Sequence, residues 1–472
     1  MEQRGDLMDK FYTASKSRSQ GRDSWAVIFR HPVRLDSSGK PGRRVRRGLG
    51  TADSVDADRL VAELNVLLSS PELWEPASRV AVEARFDERV LDIFYDGIVS
   101  TPTDSQAVRD SILPIPGHES GYRTVLMLGT TGAGKTTLVR QILGTDPDTE
   151  RFPSTSTAKT TVADTELILD PSPEFRACVT FVGRDEVVDY LGECISEAAL
   201  AAYRGADDAQ ITRRMLDHPN QRFRFSYILG RSRSFTSTDD DFDDDDDAPD
   251  AATVEDAPEA VDLAATGAVI AAAVLSIKEL VFEHSSEVRE SLSPDEAGDE
   301  RLIEELIEES MDEELRRDER FHGIVDELFD EIEKRFSLLR VGDVAKNRQG
   351  WPISWQWSTT DRAEFIRAIT RFSSNFAPLF GTLLTPLVSG IRVAGPFLPN
   401  WNLDQTPRLV IVDGEGLGHT PNSAAALSTS VSRRIEEVDA VLLVDNAAQP
   451  MQAAPVAAMK AVVTSGNAKK LL

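Results

Sequence analysis

The sequence predicts an α/β fold, because short apolar runs that suit buried strands alternate with segments of helical periodicity. Three such runs occupy residues 122–128, 409–412 and 440–444. Amphipathic patterns over residues 184–204 and 301–340 predict the main helices. The chain has 472 residues, of which 41% are hydrophobic and 28% charged. This composition fits a folded protein of several domains and excludes collagen-like and small disulfide-stapled chains.

The N-terminal segment predicts a small basic β/α module over residues 1–75. Apolar residues at every second position from 25 to 29 indicate a strand, and residues 43–49 can return as its antiparallel partner. Apolar residues between 60 and 68 then recur with helical spacing. The module is therefore expected to contain a hairpin followed by a helix.

Positive charge is concentrated in this module. Residues 1–50 contain twelve Lys or Arg against five Asp or Glu, although the whole chain has a formal net charge of −27. Four arginines precede a glycine-rich turn, namely Arg43, Arg44, Arg46 and Arg47. The module resembles the N-terminal DNA-binding domains of integrase-type tyrosine recombinases, a β-β-β-α arrangement whose sheet enters a DNA groove. The resemblance implies DNA contact through residues 24–64. The alternative is that the arginines dock on an acidic surface of this same protein.

Residues 76–120 are expected to form a helical connector, with a helix at 87–98. Farther along the chain, residues 239–260 contain twelve acidic residues and no basic one. Such a segment repels itself and has little apolar area to bury, so we predict a disordered acidic linker over 235–260. This linker would lie inside a helical insertion spanning residues 184–404.

Two further features bear on the compartment. In the middle of the chain the longest uncharged apolar stretch, residues 263–277, has 15 residues and is short for a membrane span. Membrane contact is therefore not expected. The only cysteines, Cys178 and Cys194, cannot form a disulfide framework, and the expected location is the cytoplasm.

A phosphate-binding motif follows the first buried strand. Residues 129–136 match G-x-x-x-x-G-K-[ST] and lead into a helix-compatible run at 137–143. Glycines let backbone N–H groups turn inward around phosphate oxygens, and the helix N-terminus adds positive potential. In this pattern Lys135 reaches the β- and γ-phosphates, and Thr136 provides a hydroxyl ligand for Mg²⁺. The expected phosphate-contacting residues are Gly129, Thr130, Thr131, Gly132, Ala133, Gly134, Lys135, Thr136 and Thr137.

A carboxylate ends the strand predicted at 409–412. Asp413 is placed as the acid that holds Mg²⁺ in phosphoryl-transfer sites, and with Gly416 it forms the pattern D-x-x-G. The Gly416 N–H is then expected to meet a γ-phosphate. An Asp-Gly turn that merely closes a strand is the alternative interpretation.

With these motifs the chain resembles P-loop GTPases, in particular large bacterial dynamin-like or septin-like proteins with helical insertions. The resemblance implies a GTPase-like sheet over residues 121–183 and 405–472, C-terminally incomplete. It also implies a switch loop at 152–161 in which one threonine is an additional Mg²⁺ ligand. Thr160 is favoured because it lies just before a predicted strand, and the alternatives are Thr155, Thr157 and Thr161. Mg²⁺ and GTP are the implied cofactor and substrate, and assembly through this domain or the insertion is the implied homo-oligomer.

Several departures from that family leave alternatives open. No N-K-x-D or T-K-x-D motif for guanine occurs in the chain, so ATP is the rival substrate. In an ATPase, Glu415 would act as the general base. Leu417 stands near the position where small GTPases carry a water-orienting glutamine, and His419 is a candidate replacement. We therefore expect a Mg²⁺-dependent nucleotide switch with Lys135, Glu415 and His419 as candidate catalytic residues. A scaffold with little turnover is the competing class.

Overall fold

The chain forms two compact units, residues 1–104 with 346–352 and residues 105–345 with 353–472. The computed structural model describes residues 12–18, 24–35, 41–99, 104–129, 133–146, 150, 152–153, 164–217, 224–230, 262–291, 300–399, 406–413, 434–446 and 453–472. The acidic linker predicted at 235–260 lies outside these residues.

The first unit is an antiparallel three-stranded sheet with helices packed on one face. Its strands are β1 (Ser15–Ser17), β2 (Ala26–Leu35) and β3 (Pro41–Gly48), in the order β1-β2-β3. Its helices are α1 (Ser54–Leu68), α2 (Ser78–Val82) and α3 (Glu88–Val99). Val27 and Phe29 of β2 share one core with Leu60 of α1 and Phe94 of α3. Three strands followed by a helix are thus present, as the resemblance to recombinase modules implied.

The boundary of this unit differs from the expected one. Residues 76–120 were assigned to a connector, yet α3 supplies fully buried residues to the core of the first unit, including Val90 and Phe94. The second unit begins at Ser105. Helices α1 and α3 together therefore supply the residues that pack on the apolar face of the sheet.

The second unit is built on an eight-stranded mixed sheet in an α/β arrangement. Its strands are β4 (Arg123–Leu128), β5 (Asp164–Leu169), β6 (Phe175–Phe181), β7 (Asp343–Lys346), β8 (Pro352–Thr359), β9 (Val388–Gly395), β10 (Leu409–Asp413) and β11 (Ala440–Leu443). Their order is β11-β4-β10-β5-β9-β6-β8-β7. Strand β4 pairs in parallel with both β10 and β11, whereas β10 and β5 are antiparallel.

Helices line the sheet and form a separate layer between β6 and β7. The helices of this unit are α4 (Ser105–Ile112), α5 (Lys135–Leu143), α6 (Arg184–Tyr203), α7 (Asp208–Leu216), α8 (Ser226–Leu229), α9 (Leu263–Ser291), α10 (Glu300–Leu315), α11 (Glu319–Lys334), α12 (Arg362–Ser373) and α13 (Ala453–Thr464). Helices α6 to α11 make up the helical insertion. The insertion ends sooner than the expected residue 404, because β7, β8 and β9 return to the sheet.

Strand β9 explains this difference. It lies between β5 and β6, so both of its edges are paired and most of its residues are buried. Its sequence, VSGIRVAG, mixes apolar residues with Ser, Gly and Arg. An analysis of apolar runs does not predict this strand, because a charged residue interrupts the run. The charge of Arg392 is neutralised by Glu166, which is distant in the sequence.

Helix α9 is longer than the apolar stretch that predicts it. It has 29 residues, and the window 263–290 is long and apolar enough to cross a membrane by length and composition alone. In the described residues it is the one helix with these properties, and 39% of its most apolar window is buried inside the protein. A single helix of this kind is weak evidence for a membrane, because core helices of soluble proteins pass the same test of length and composition.

The C-terminal residues extend the sheet beside β11. Leu471 forms a parallel bridge with Val441, and the Leu472 N–H donates to the Val441 carbonyl at 2.8 Å. Residues 468–470 form a 3₁₀ turn before this bridge. Residues 471 and 472 therefore join the sheet through a single bridged pair.

Candidate phosphate-binding site

The carboxyl ends of three parallel strands meet at one edge of the sheet. Asp413, the last residue of β10, is in register with Met127 of β4, two residues before Gly129. Leu443 of β11 is in register with Leu128 on the other side of β4. The edge at the carboxyl ends of parallel strands is where open α/β sheets bind ligands. The topology therefore brings the glycine-rich segment and Asp413 to the same edge.

Gly129 is required by a close approach of two backbones. The Val444 N–H donates to the Leu128 carbonyl at 2.7 Å, which holds the end of β11 against the end of β4. A Cβ atom on Gly129 would lie 2.2 Å from the Val444 carbonyl oxygen. Because that obstacle is backbone, it cannot move aside as a flexible side chain would.

Gly134 is required for its backbone conformation. Its φ is +95°, in the left-handed region, and it caps the N-terminus of α5. A Cβ atom there would meet nothing within 4 Å, so the restriction is conformational and not steric crowding. The first bond of the helix runs from the Leu138 N–H to the Gly134 carbonyl at 2.9 Å. The N-terminus of α5 and its partial positive charge consequently begin at this turn.

Lys135 spans the glycine-rich segment. Its Nζ donates to the Gly129 carbonyl at 2.9 Å, and the residue is only 7% exposed. Burial lowers the pKa of the Lys135 ammonium group, and the nearby Asp413 carboxylate opposes that shift. The ammonium group is thus held at the sheet edge, close to an acidic partner.

Asp413 and Thr136 offer oxygen ligands of the kind that Mg²⁺ accepts. Asp413 is 4% exposed, and Thr136 lies in the first turn of α5. Among the described residues no group of three or more His, Cys, Asp or Glu could hold a metal ion. Mg²⁺ usually keeps several waters and binds through one or two protein groups and substrate phosphates, so this sparse donor set fits it.

The predicted site residues fall into two groups. The described residues Gly129, Ala133, Gly134, Lys135, Thr136, Thr137 and Asp413 lie at or next to one sheet edge. The others lie outside the described residues, namely Thr130, Thr131, Gly132, Thr160, Glu415, Gly416 and His419. The roles expected of this second group stay predictions.

Two residues at the C-terminal end of α5, the end away from the candidate site, escaped the sequence analysis. Arg362, the first residue of α12, binds Glu150 through two hydrogen bonds of 2.8 and 2.9 Å. Glu150 follows the end of α5 by seven residues in the sequence, whereas Arg362 lies 212 positions from Glu150. No local pattern reveals a pair so distant in sequence.

A buried charge network supports the same sheet. Glu166 of β5 accepts hydrogen bonds from Arg109 of α4 at 3.1 Å and from Arg392 of β9 at 2.7 Å, and the three residues are at most 2% exposed. Arg392 also donates to Asp110 at 2.7 Å, and Arg109 donates to the Thr180 hydroxyl at 3.0 Å. The sequence signal for such a network is Arg392 as the one charged residue of β9, together with Glu166 directly before the apolar end of β5.

Protein-family models give no match to this chain, and a search of curated proteins finds no significantly similar sequence. Functional inference therefore depends on the sequence motif and on the geometry around it. The two agree on one edge of the sheet, where Gly129, Lys135 and Asp413 come together.

Proposed function

We propose that the chain binds a nucleoside triphosphate with Mg²⁺ at the edge formed by β4, β10 and the N-terminus of α5. The observation that carries the proposal is the position of Lys135, whose Nζ lies 2.9 Å from the Gly129 carbonyl and beside Asp413. A buried ammonium group between a helix N-terminus and a carboxylate is suited to a ligand that brings both phosphate and metal.

Phosphate recognition would use the backbone first. The glycine-rich segment frees N–H groups to face phosphate oxygens, and the partial positive charge of α5 favours an anion there. When a phosphate enters, Lys135 would exchange its bond to the Gly129 carbonyl for a charge-assisted bond to a phosphate oxygen. Its low exposure strengthens that bond, because little water competes.

The metal would be held by few protein groups. Thr136 supplies a hydroxyl and Asp413 a carboxylate, with Thr160 as the further ligand that the GTPase resemblance implies. Bound Mg²⁺ would neutralise charge on the β- and γ-phosphates. Gly416 would sense the γ-phosphate through its N–H. Triphosphate and diphosphate would then be distinguished by contacts on the segment that precedes β5 and on the segment that follows β10.

GTP is the favoured nucleotide, and a conformational switch or nucleotide-dependent assembly in the cytoplasm is the favoured role. Both choices come from the resemblance to large GTPases. ATP hydrolysis with Glu415 as general base is the alternative, as is a scaffold with little turnover. His419 is the candidate for orienting water if the chain hydrolyses GTP.

Isothermal calorimetry of the full chain with Mg-GTP and Mg-ATP tests binding. We expect Lys135→Ala to weaken triphosphate binding by about tenfold to a hundredfold, the range typical of a lost charge-assisted contact. Lys278→Ala is the matched control, because Lys278 is an exposed lysine that pairs with Asp208 in the helical insertion. No heat of binding with either nucleotide would refute the proposal, and equal or tighter binding of ATP would refute the preference for GTP.

Phosphate release over a series of protein concentrations tests turnover. Turnover per chain that rises with concentration is expected if a second copy assists hydrolysis. Binding without release at any concentration would favour the scaffold. Asp413→Asn should lose the dependence on Mg²⁺ while retaining weak nucleotide binding, because it removes a metal ligand and leaves Lys135 in place.

DNA contact through residues 24–64 is a second proposal. The observation behind it is that Arg30 and Arg44 form a cross-strand pair, on the face opposite the core residue Phe29. Arg46 shares that face by strand alternation but is only 8% exposed. A gel-shift titration of the full chain at low salt, with Arg30→Ala/Arg44→Ala, tests the proposal. Unchanged binding by the double variant, or none by the wild type at tens of micromolar, would refute it.

A further inference from the structure

Helix α9 carries regularly spaced residues on two opposite faces. The inner face packs against α6, α10 and α11, and its buried residues are Thr266, Ile270, Ala273, Ile277, Leu280 and His284. The outer face repeats the same spacing with exposed residues, namely Ala264, Ala268, Ala271, Leu275, Lys278 and Phe282. Alternate steps of four and three residues are the spacing of a coiled-coil seam. These six outer residues are called the α9 seam below.

The α9 seam is more apolar than the outer face of a solvated helix. Phe282 is 72% exposed and Leu275 is 57% exposed. Residues 263–277 contain no charged residue at all. A helix at a protein surface normally turns a polar face to water, and a periodic apolar row on the outer face indicates a surface that binds another molecule.

The seam is complementary in shape to a second copy of itself that runs in the opposite direction. If two such helices face each other at residue 273, Phe282 of one copy lies opposite Ala264 of the other. By the same register Leu275 lies opposite Ala271. Each large side chain then meets a small one, and a two-fold axis makes each contact occur twice.

Charge favours the antiparallel direction over the parallel one. The charged residues next to the seam, Lys278, Glu279 and Glu283, all lie in its C-terminal part. Within one copy Lys278 pairs with Asp208 at 2.8 Å, and Glu283 pairs with Arg320 at 2.6 Å. A parallel pair would set the two Glu279 carboxylates side by side. An antiparallel pair separates them by roughly 18 Å along the helix, which exceeds the screening length of about 8 Å in physiological salt.

The size of the seam fits a weak dimer. Residues 264–282 span roughly 27 Å of helix, and a contact roughly 10 Å wide would bury roughly 600 Å² over both copies. Stable interfaces bury roughly 1,200–2,000 Å² in total. The seam by itself should therefore join two copies reversibly, with a dissociation constant on the order of 10–100 µM.

We propose that the α9 seam is an interface between two copies of this chain, paired antiparallel about residue 273. The inference does not depend on nucleotide binding, because the whole seam lies in the helical insertion. A phospholipid surface is the competing occupant of an apolar helix face. The formal net charge of −27 opposes attraction of the chain to anionic lipid.

Sedimentation velocity of the nucleotide-free full chain, from about 1 to 300 µM, measures the association. The wild type should pass from monomer to dimer across this range. Leu275→Glu and Phe282→Glu should each weaken association at least tenfold, because a carboxylate would lose its water at the contact. Val80→Glu is the matched control, since Val80 is 75% exposed on α2 of the first unit. A wild type that stays monomeric, or seam variants that associate as the wild type does, would overturn the proposal.

A mixing experiment separates loss of the interface from damage to the fold. Position 275 lies two residues from the proposed two-fold axis, so the two copies of this side chain are roughly 6 Å apart along the helix. Leu275→Glu and Leu275→Lys should each fail to self-associate, because like charges then meet. An equimolar mixture should associate at least tenfold more tightly than either variant alone. A mixture that associates no better than its components would contradict pairing between copies at this position.

The direction of pairing can be measured between spin labels. Ser286→Cys provides the attachment point, and the native thiols of Cys178 and Cys194 are buried. Antiparallel pairing about residue 273 predicts a label separation of roughly 40 Å along the helix, whereas parallel pairing brings the labels within about 20 Å. The short distance, or no distance that depends on protein concentration, would overturn the proposed arrangement.

Flotation with vesicles of phosphatidylcholine and phosphatidylglycerol tests the competing occupant. We expect the wild type and Phe282→Glu to remain equally unbound to the vesicles. Flotation of the wild type that Phe282→Glu abolishes, without a dimer in sedimentation, would assign the seam to a membrane surface and overturn the proposal. Circular dichroism of every variant establishes that it is folded. If Phe282→Glu does not fold, Leu275→Glu takes its place in both measurements.

Discussion

Removing the charge of Glu166 should destabilise the second unit strongly. Glu166 Oε2 is shared by Arg109 Nε at 3.1 Å and Arg392 Nε at 2.7 Å, and all three side chains are almost fully buried. Glu166→Gln preserves shape but leaves two buried guanidinium groups facing a neutral amide. Of these, Arg392 retains Asp110, whose side chain is 49% exposed. Arg109 retains, among the described residues, the hydrogen bond to the neutral Thr180 hydroxyl.

The size of the effect follows from the burial. Breaking a buried ion pair by removing one partner costs about 3–5 kcal/mol, since an uncompensated charge stays in a poorly polarisable interior. In a unit of this size that loss lowers the midpoint of thermal unfolding by roughly 10 °C. Most small domains have a total stability of about 5–15 kcal/mol, so the variant should remain folded with a reduced margin.

Urea and thermal unfolding of the full chain, followed by circular dichroism, measure this difference. Glu308→Gln is the matched control, because it removes the same charge from the exposed bidentate pair with Arg204. The control should change the free energy of unfolding by less than about 1 kcal/mol. If Glu166→Gln and Glu308→Gln unfold alike, the network contributes no more than a surface pair and the reasoning is refuted.

The pH dependence provides a second readout of the same network. Burial alone raises the pKa of the Glu166 carboxyl, but the hydrogen bond from Arg392 and the charges of Arg392 and Arg109 outweigh it and lower the pKa below its ordinary value. A carboxyl with a lowered folded-state pKa stabilises the protein above its unfolded-state pKa, and this contribution is lost as pH falls. The stability gap between the wild type and Glu166→Gln should therefore narrow below about pH 4.5.

Two further predictions concern other parts of the fold. Burial lowers the pKa of His31 from 6.5 to about 4. The unfolded chain therefore takes up this proton at a higher pH than the folded chain does. As pH falls through that interval, the free energy of unfolding of the first unit should decrease by up to about 3 kcal/mol. The free energy of unfolding of His31→Gln should lack this decrease. An equal slope of the free energy of unfolding against pH in both proteins would contradict the prediction. Gly129→Ala should destabilise by more than about 2 kcal/mol, because its Cβ would lie 2.2 Å from the Val444 carbonyl oxygen. Gly323→Ala is the control, because Gly323 lies within α11 and a Cβ there would meet nothing within 4 Å. It should stabilise the protein by about 0.5–1 kcal/mol. If urea unfolding shows Gly129→Ala to be more stable than Gly323→Ala, the steric explanation is ruled out.

The apolar runs predicted the sheet edge well, because a strand buried on both faces has little freedom of composition. Strands β4, β10 and β11 lie within a residue of their expected bounds, and α5 follows β4 as the motif requires. Strands β7, β8 and β9 were missed. In these strands apolar residues are interrupted by polar, small or charged ones. They become strands because neighbouring strands satisfy their backbone and, in β9, because Glu166 neutralises Arg392.

The sequence by itself determined the α/β class, the glycine-rich segment with Lys135, and the acid that ends β10, because each depends on residues adjacent in the chain. Tertiary structure alone decided that Asp413 stands beside β4, that α3 belongs to the first unit, and that Arg362 binds Glu150. These relations join residues tens to hundreds of positions apart. Their pairing depends on strand order and on which charges are desolvated together, neither of which a local pattern records.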